Sequence, residues 1–132
     1  MREIKFRAWD NEEKWMVDGL YISFDGDIFT DDVDPHDTPY KEMELANAER
    51  YELMQFTGLK DANGKEIYEG DVLRDSESIV IVKFVDGEFS VDYRTIGGKW
   101  RNYSSLFGYL EDYEGEIIGN IYETPELIER RK

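Results

Sequence analysis

The stretch LMQFTGLKDANGKEIYEGDVL, residues 53–73, decides the local organisation of the chain. Residues 53–57 predict a strand, Asn63-Gly64 predicts a tight turn, and Glu69-Gly70-Asp71 predicts a second turn that leads into another strand. Turns of this kind need positive φ angles, which Gly adopts without steric cost and Asn tolerates well. No group of residues in the stretch resembles a catalytic constellation. The stretch therefore predicts strands and turns but no catalytic site.

The composition describes a small folded protein with a strongly acidic surface. The chain has 132 residues, of which 40% are hydrophobic and 14% aromatic, enough to bury a core in one domain or in two small halves that share one. The formal net charge is −15. This charge argues against direct binding to a nucleic-acid backbone, where Lys and Arg must replace counterions, and it favours solubility or a basic partner.

Several classes of site and location are excluded by what the sequence lacks. There is no Cys, so disulfides, thiolate chemistry and Cys-based metal sites are ruled out. The opening MREIK is not followed by the apolar region of a signal peptide, and no apolar run approaches the length of a membrane helix. We therefore expect a cytoplasmic protein that contacts neither membrane nor nucleic acid directly.

The N-terminal part alternates between strand and turn signals. Residues 3–9 alternate apolar and polar side chains with a period of two, which predicts a half-buried strand with residues 14–17 as its partner. Trp9 and Trp15 flank the intervening turn, either as an aromatic ligand platform or, as we favour, as packing residues. Residues 20–24 and 27–30 predict a hairpin joined at Asp25-Gly26. A short helix is predicted over residues 41–50.

The clearest hairpin in the chain is predicted at Asp86-Gly87. This turn joins residues 79–85 to residues 88–93. It pairs Phe84 with Phe89, Val82 with Val91, and Val80 with Tyr93, all on one apolar face. Ser90 and Asp92 are then predicted to face outward, beside Lys83 and Ile81. The turn and the apolar pattern agree on this register.

The C-terminal part predicts a loop, a helical turn, a strand and a short helix. The loop lies at Gly97-Gly98, and residues 104–110 predict a helical turn that closes one end of the sheet. Residues 116–122 predict a strand in which Gly119 indicates a bulge or a close backbone approach. Thr124-Pro125-Glu126 predicts the start of a short C-terminal helix, with Thr as N-cap.

Three blocks of the sequence resemble the YopX family of phage and prophage proteins. They are IKFRAWD (residues 4–10), the stretch 53–73, and IIGNIYETPELI (residues 117–128), in the order usual for the family. The resemblance implies bent or bifurcated β-sheets and carriage on temperate phages or prophages. It implies no activity, cofactor or catalytic residue. Separately, GDVL at residues 70–73 followed by the hairpin resembles the opening of an SH3-like small barrel.

Four parts of the sequence resemble functional sites, and each also has a simpler structural explanation. The acidic loop offers oxygen ligands and the only His, but it lacks the EF-hand pattern, so a solvated loop is favoured over a metal site. That single His leaves no His-based dyad outside the loop. Gly97-Gly98-Lys99 lacks the rest of a phosphate-loop pattern. A basic and aromatic cluster could stack on single strands or serve self-association. The residues of the acidic loop are Asp25, Asp27, Asp31, Asp32, Asp34, His36 and Asp37. Those of the basic and aromatic cluster are Arg94, Lys99, Trp100, Arg101 and Tyr103.

These observations predict a mainly β protein with bent or bifurcated antiparallel sheets. An N-terminal β unit with the acidic loop would span residues 1–50. A bent sheet or small barrel with a short C-terminal helix would span 51–132, the two forming one compact unit. We expect a non-enzymatic phage or prophage accessory protein without catalytic, cofactor-binding or metal-binding residues and without a cofactor. Its seven Phe, nine Tyr and three Trp predict a self-associating interaction module with an unidentified protein partner. The alternative is an acidic DNA mimic that occupies a host DNA-binding protein.

Overall fold

The chain is mainly β, as predicted, and it divides into two compact units. The structure, a computed structural model, describes residues 3–18, 20–22, 28–30, 41–42, 50–95, 97–103 and 105–129. The N-terminal unit is Met1–Gln55 and the C-terminal unit is Phe56–Lys132. A ten-residue strand, β6 (Tyr51–Lys60), crosses from one unit to the other.

In the N-terminal unit, β1 (Phe6–Asp10) pairs antiparallel with β2 (Trp15–Val17) and with the first half of β6. The predicted partner strand is therefore confirmed. Trp9 lies opposite Met16 and Trp15 lies opposite Asp10, so the two Trp side chains point to opposite faces. Trp9 is 8% exposed and Trp15 is 57% exposed. They form no shared platform, and Trp9 is a packing residue.

The same unit contains a second, three-stranded antiparallel sheet. It consists of β3 (Leu20–Ile22), β4 (Ile28–Thr30) and β5 (Lys41–Glu42). The predicted hairpin pairing is confirmed at Leu20 with Thr30, whereas its turn at Asp25-Gly26 lies outside the described residues. The helix predicted over residues 41–50 is wrong at its start, because β5 pairs there with β4.

In the C-terminal unit, the second half of β6 pairs with β7 (Glu66–Tyr68) around the predicted Asn63-Gly64 turn. Gly64 has φ 81° and donates its N–H to the carbonyl of Asp61 at 3.0 Å. Positive φ is the reason that Gly stands at this position. The turn predicted from the sequence is confirmed.

A curled, half-barrel antiparallel sheet forms the rest of this unit. Its order is β11-β10-β9-β8-β12. The strands are β8 (Asp71–Arg74), β9 (Ser78–Val85), β10 (Glu88–Thr95), β11 (Arg101–Asn102) and β12 (Glu116–Asn120).

The β9–β10 hairpin has the predicted register throughout. Phe84 faces Phe89, Val82 faces Val91 and Val80 faces Tyr93. Both turn residues have positive φ, 51° at Asp86 and 82° at Gly87, as a two-residue turn of this kind requires. The inner pairs enter the core, whose fully buried members are Ile67, Leu73, Val80, Val82, Val91, Leu106 and Tyr109.

Two details of the predicted hairpin are wrong. Ile81 and Ser90, expected to face solvent, are 9% and 3% exposed, and Val72, which lies opposite Ile81, is fully buried. The centre of the sheet is therefore covered on both faces. Phe84, expected in the core, is 51% exposed, although its cross-strand partner Phe89 packs against the core.

The predicted helical turn is confirmed as α1 (Leu106–Asp112). Ser105 caps it by accepting a hydrogen bond from the N–H of Gly108 at 2.9 Å, and Leu106 and Tyr109 fix its inner face in the core. Among the described residues, no helix is long and apolar enough to span a membrane.

The C-terminal strand and turn confirm one prediction and correct another. The register of β12 shifts between Ile117 and Gly119, which confirms the bulge, and a Cβ at Gly119 would overlap the hydroxyl of Thr124. The predicted short helix is a single 3₁₀ turn, Pro125–Leu127. Thr124 does not cap it, because its hydroxyl instead bonds the N–H and the carbonyl of Asn120 at 3.0 and 2.9 Å.

Candidate interaction surface

The buried carboxylate of Asp61 organises the chain around the β6–β7 turn. One oxygen accepts the N–H groups of Asn63 and Lys65 at 2.9 and 2.8 Å, and the other accepts the N–H of Ile117 at 2.8 Å. Asp61 is 7% exposed, so these charge-assisted bonds replace its lost hydration. They tie the turn to the edge of β12. The role of this carboxylate is structural.

In the N-terminal unit, Asp10 has a comparable role. Its carboxylate receives a two-pronged contact from the Arg50 guanidinium, at 3.1 Å from Nε and 2.9 Å from Nη2, and it also accepts the N–H of Glu12 at 2.9 Å. The Arg50 hydrogen bonds hold the pKa of Asp10 below its ordinary value of 3.8, against the opposing effect of burial. The carboxylate stays ionised and closes the β1–β2 turn.

Asp75 and Tyr109 form a partly buried polar contact beside an aromatic cluster. The Tyr109 hydroxyl donates to Asp75 at 2.8 Å, and Tyr109 stacks on Tyr113 with ring centroids 5.4 Å apart. Burial raises the pKa of Asp75, but hydrogen bonds from Glu77 N–H, Tyr109 and Ser78 outweigh it and leave the pKa below 3.8. Burial, followed by the bond to Asp75, raises the pKa of Tyr109.

The edge of the half-barrel sheet at β12 is occupied by groups of the same unit. Asp61 takes the N–H of Ile117, and the hydroxyl of Thr124 takes the N–H of Asn120. An edge strand whose polar groups are already bonded is a poor template for pairing with another chain. The expectation that open sheet edges drive self-association is therefore not supported at β12.

An apolar surface instead stands at the tip of the β9–β10 hairpin. This hairpin tip consists of Phe84, Val85, Asp86, Glu88 and Phe89. Phe84 is 51% exposed and Val85 43% exposed, and the Phe84 and Phe89 rings meet edge to face with centroids 5.0 Å apart. The two-residue turn and this ring contact fix the aromatic pair in place. Asp86 and Glu88, both exposed, add negative charge at its rim.

The predicted basic and aromatic cluster lies at the opposite end of the same hairpin. Its core, here called the basic end, consists of Arg94, Lys99, Trp100 and Arg101. The Arg94 guanidinium lies over the Trp100 ring, 5.0 Å from its centroid, while Lys99 and Arg101 are exposed. Tyr103 turns away from this group, because its hydroxyl donates to Asp112. That bond raises the pKa of Tyr103 to about 12.

The other predicted sites find no further support in the described residues. The acidic loop, including His36, lies outside them, and no group of three or more His, Asp or Glu within the described ranges is placed to hold a metal ion. Gly97 has φ 73° and the N–H of Gly98 bonds the carbonyl of Thr95 at 2.9 Å, as in an ordinary turn.

A shallow depression also opens beside the Asp61 turn. It has a volume of about 270 Å³. Its largest side chain is Tyr113, and the depression has no buried polar group that would fix a ligand's orientation, since the Asp61 carboxylate is already committed to backbone N–H groups. The lining residues are Lys60, Asp61, Ala62, Leu110, Tyr113, Glu114 and Gly115.

Comparison with known proteins gives one family. The family model described as "YopX protein" matches residues 5–129. The chain belongs to the YopX family. The SPbeta prophage-derived uncharacterized protein YopX of Bacillus subtilis (strain 168) is 28% identical over 139 aligned residues, which span 94% of this chain and 95% of that protein. The resemblance seen in the sequence is confirmed.

A solved structure shares the fold over nearly the whole chain. The crystal structure of protein EF1440 from Enterococcus faecalis matches with a TM-score of 0.68 and 31% identity, covering 98% of this chain and 100% of that one. The YopX-family fold predicted from the three sequence blocks therefore extends across both units of this chain.

Sequence reasoning found the basic end but missed the hairpin tip. The residues of the basic end lie in one short stretch of sequence, whose basic and aromatic composition identifies them. The tip was missed because its apolar residues continue the pattern of the core strands, and nothing local marks where the core ends. The signal that could have found it is the length of the hairpin, since β9 and β10 have eight residues each, whereas β8, which pairs with β9, has four.

Proposed function

We propose that this YopX-family protein is a phage or prophage accessory protein that works by binding, in the cytoplasm of the bacterial host, and that it self-associates through the C-terminal unit. The single observation that carries the proposal is the exposed ring of Phe84 at the hairpin tip, held in place by its edge-to-face contact with the half-buried Phe89. Rigid exposed aromatics lose little conformational entropy on binding, and they dominate the energetics of many interfaces.

A non-enzymatic role accords with the state of the buried carboxylates. A general acid needs a raised pKa so that it keeps its proton near neutral pH. Asp10 and Asp75 have lowered pKa values, and their oxygens are occupied by backbone and side-chain donors. Asp61 is likewise bonded to three backbone N–H groups. These carboxylates hold turns in place.

A DNA mimic would need its acids in a regular exposed array. Four of the acids, the buried Asp10, Asp61 and Asp71 and the half-buried Asp75, bond backbone N–H groups instead. Self-association through an apolar surface is therefore the function we favour. A steep loss of binding to a host nucleic-acid enzyme with added salt would point to the mimic.

The experiment is sedimentation velocity of the wild type beside two matched variants. Phe84→Ser removes the aromatic at the hairpin tip, and Phe107→Ser makes the same chemical change on α1, where Phe107 is 59% exposed. We expect Phe84→Ser to weaken self-association about tenfold or more, the effect of losing one interface anchor. Phe107→Ser should behave as the wild type. Equal sedimentation of all three proteins would refute this use of the tip.

A further inference from the structure

The two ends of the β9–β10 hairpin carry opposite charge. The hairpin tip presents Asp86 and Glu88, and the neighbouring Lys83 adds no free positive charge because it forms an ion pair with Asp92. The basic end presents Arg94, Lys99 and Arg101. Since β10 spans eight residues, the two ends lie about 23 Å apart at the usual rise of a strand.

The basic end differs in charge from most of the described residues. Residues 93–110 contain three basic residues and no Asp or Glu, in a protein whose net charge is −15. Among the described residues, the acids of the turn between β8 and β9, where Ser78 faces Thr95, are Asp75 and the exposed Glu77. Three cations against these two carboxylates leave the end positive. Such a local reversal of sign gives an acidic partner a defined place to bind.

Each end also offers an aromatic contact. Phe84 is exposed at the tip beside the half-buried Phe89, and Trp100 is half-buried under the guanidinium of Arg94 at the basic end. Apolar rings with charged rims of opposite sign are the arrangement of a specific interface, because the rings supply affinity and the charges set orientation.

Tip-to-tip contact between two copies would bring like charges together. Asp86 and Glu88 of one copy would face Asp86 and Glu88 of the other, between molecules that already repel through their net charge. Contact between the tip of one copy and the basic end of the next replaces this repulsion with attraction. Charge complementarity therefore selects a second copy in a head-to-tail orientation.

We propose that the hairpin tip of one copy binds the basic end of a second copy. The proposal rests on the self-association put forward above and names its surfaces. A head-to-tail contact uses two different patches on each molecule, so it is heterologous and propagates into a ring or an open chain. It is also weakened by salt, because the pairs at its rim are exposed.

Two charge-swapped variants test the proposal. The tip variant, D86K/E88K, has two positive ends, and the end variant, K99E/R101E, has two negative ends. The control K60E/K65E makes the same change in net charge as the end variant, at two exposed lysines near the β6–β7 turn. All four proteins are compared by sedimentation velocity at low salt, alone and as the mixture of tip and end variants.

We expect each swapped variant alone to lose about tenfold or more of its association constant, whereas the control keeps the wild-type value. The mixture should regain association, since the positive tip of one variant meets the negative end of the other. Misfolded variants would not regain it, so the mixture also guards against a folding defect. This pattern supports the proposal.

The failures of the two proposals can be told apart. A wild type that stays monomeric at every concentration overturns both self-association and the head-to-tail contact. A wild type that associates, with an end variant that matches the K60E/K65E control, overturns the head-to-tail contact alone. Self-association through another surface would then stand.

Discussion

Replacing Asp61 should destabilise the C-terminal unit more than any exposed acid does. In Asp61→Asn, one oxygen can still accept the N–H groups of Asn63 and Lys65, but an amide group then faces the N–H of Ile117, now 2.8 Å from the second oxygen. A hydrogen bond to a charged group contributes about 1.5–3 kcal/mol, and a buried donor is left unpaired. We expect a loss of about 2–3 kcal/mol in the free energy of unfolding.

The matched control is Asp86→Asn. Asp86 is exposed in the hairpin turn with φ 51°, a conformation that Asn adopts readily, so this change should stay within about 0.5 kcal/mol of the wild type. Urea unfolding measures both variants, and amide hydrogen exchange of Ile117 reports the lost bond directly. Equal unfolding midpoints for the two variants, with Ile117 still protected, would refute the structural role of Asp61.

Three further predictions follow from the packing and the carboxylates. Val82→Asp should cost several kcal/mol, roughly 3 or more, by placing an unpaired charge in the core, and a denaturation midpoint near that of the wild type would contradict this. Because the folded-state pKa values of Asp10 and Asp75 are lowered, the two carboxylates contribute their full stability above about pH 3.8 and lose it as the pH falls further. The melting temperature should therefore drop below about pH 3.8, and Asp10→Asn should reduce that drop. A variant with the same pH profile as the wild type would contradict the role of Asp10. Gly119→Ala should shift or break the β12 bulge through overlap with the Thr124 hydroxyl, with lowered stability; an unaffected midpoint would show that the bulge has room.

The parts of the fold that were predictable are those specified by neighbouring residues. The β9–β10 register followed from Asp86-Gly87 and from alternation on both sides, two signals that agree. The Asn63-Gly64 turn and the Gly119 bulge likewise carry their own conformational signals. The family resemblance supplied the mainly β class.

The parts that were not predictable depend on partners far away in the sequence. Asp61 binds Ile117 across 56 residues, and Tyr109 binds Asp75 across 34. Thr124 looked like an N-cap, but its hydroxyl is used by Asn120 instead. A local sequence pattern cannot decide whether the Thr124 hydroxyl caps the following helical turn or bonds Asn120.

The candidate interaction surface was also only partly predictable from the sequence. The basic end is predictable as a cluster of cations and aromatic residues close together in sequence. That it lies at the opposite end of the β9–β10 hairpin from the tip is shown only by the structure. The sequence pattern predicts Phe84 in the core because it matches Val82, and only the structure shows that Phe84 is exposed while its partner Phe89 packs against the core.

The measurement that tests self-association most directly is the weight-average mass of the wild type by light scattering across a hundredfold range of concentration at low salt. The proposed function predicts a mass that rises with concentration above the 15.6 kDa of one chain, and the head-to-tail contact predicts in addition that the mass falls back as salt is added. A mass that remains at 15.6 kDa over the whole range would contradict it.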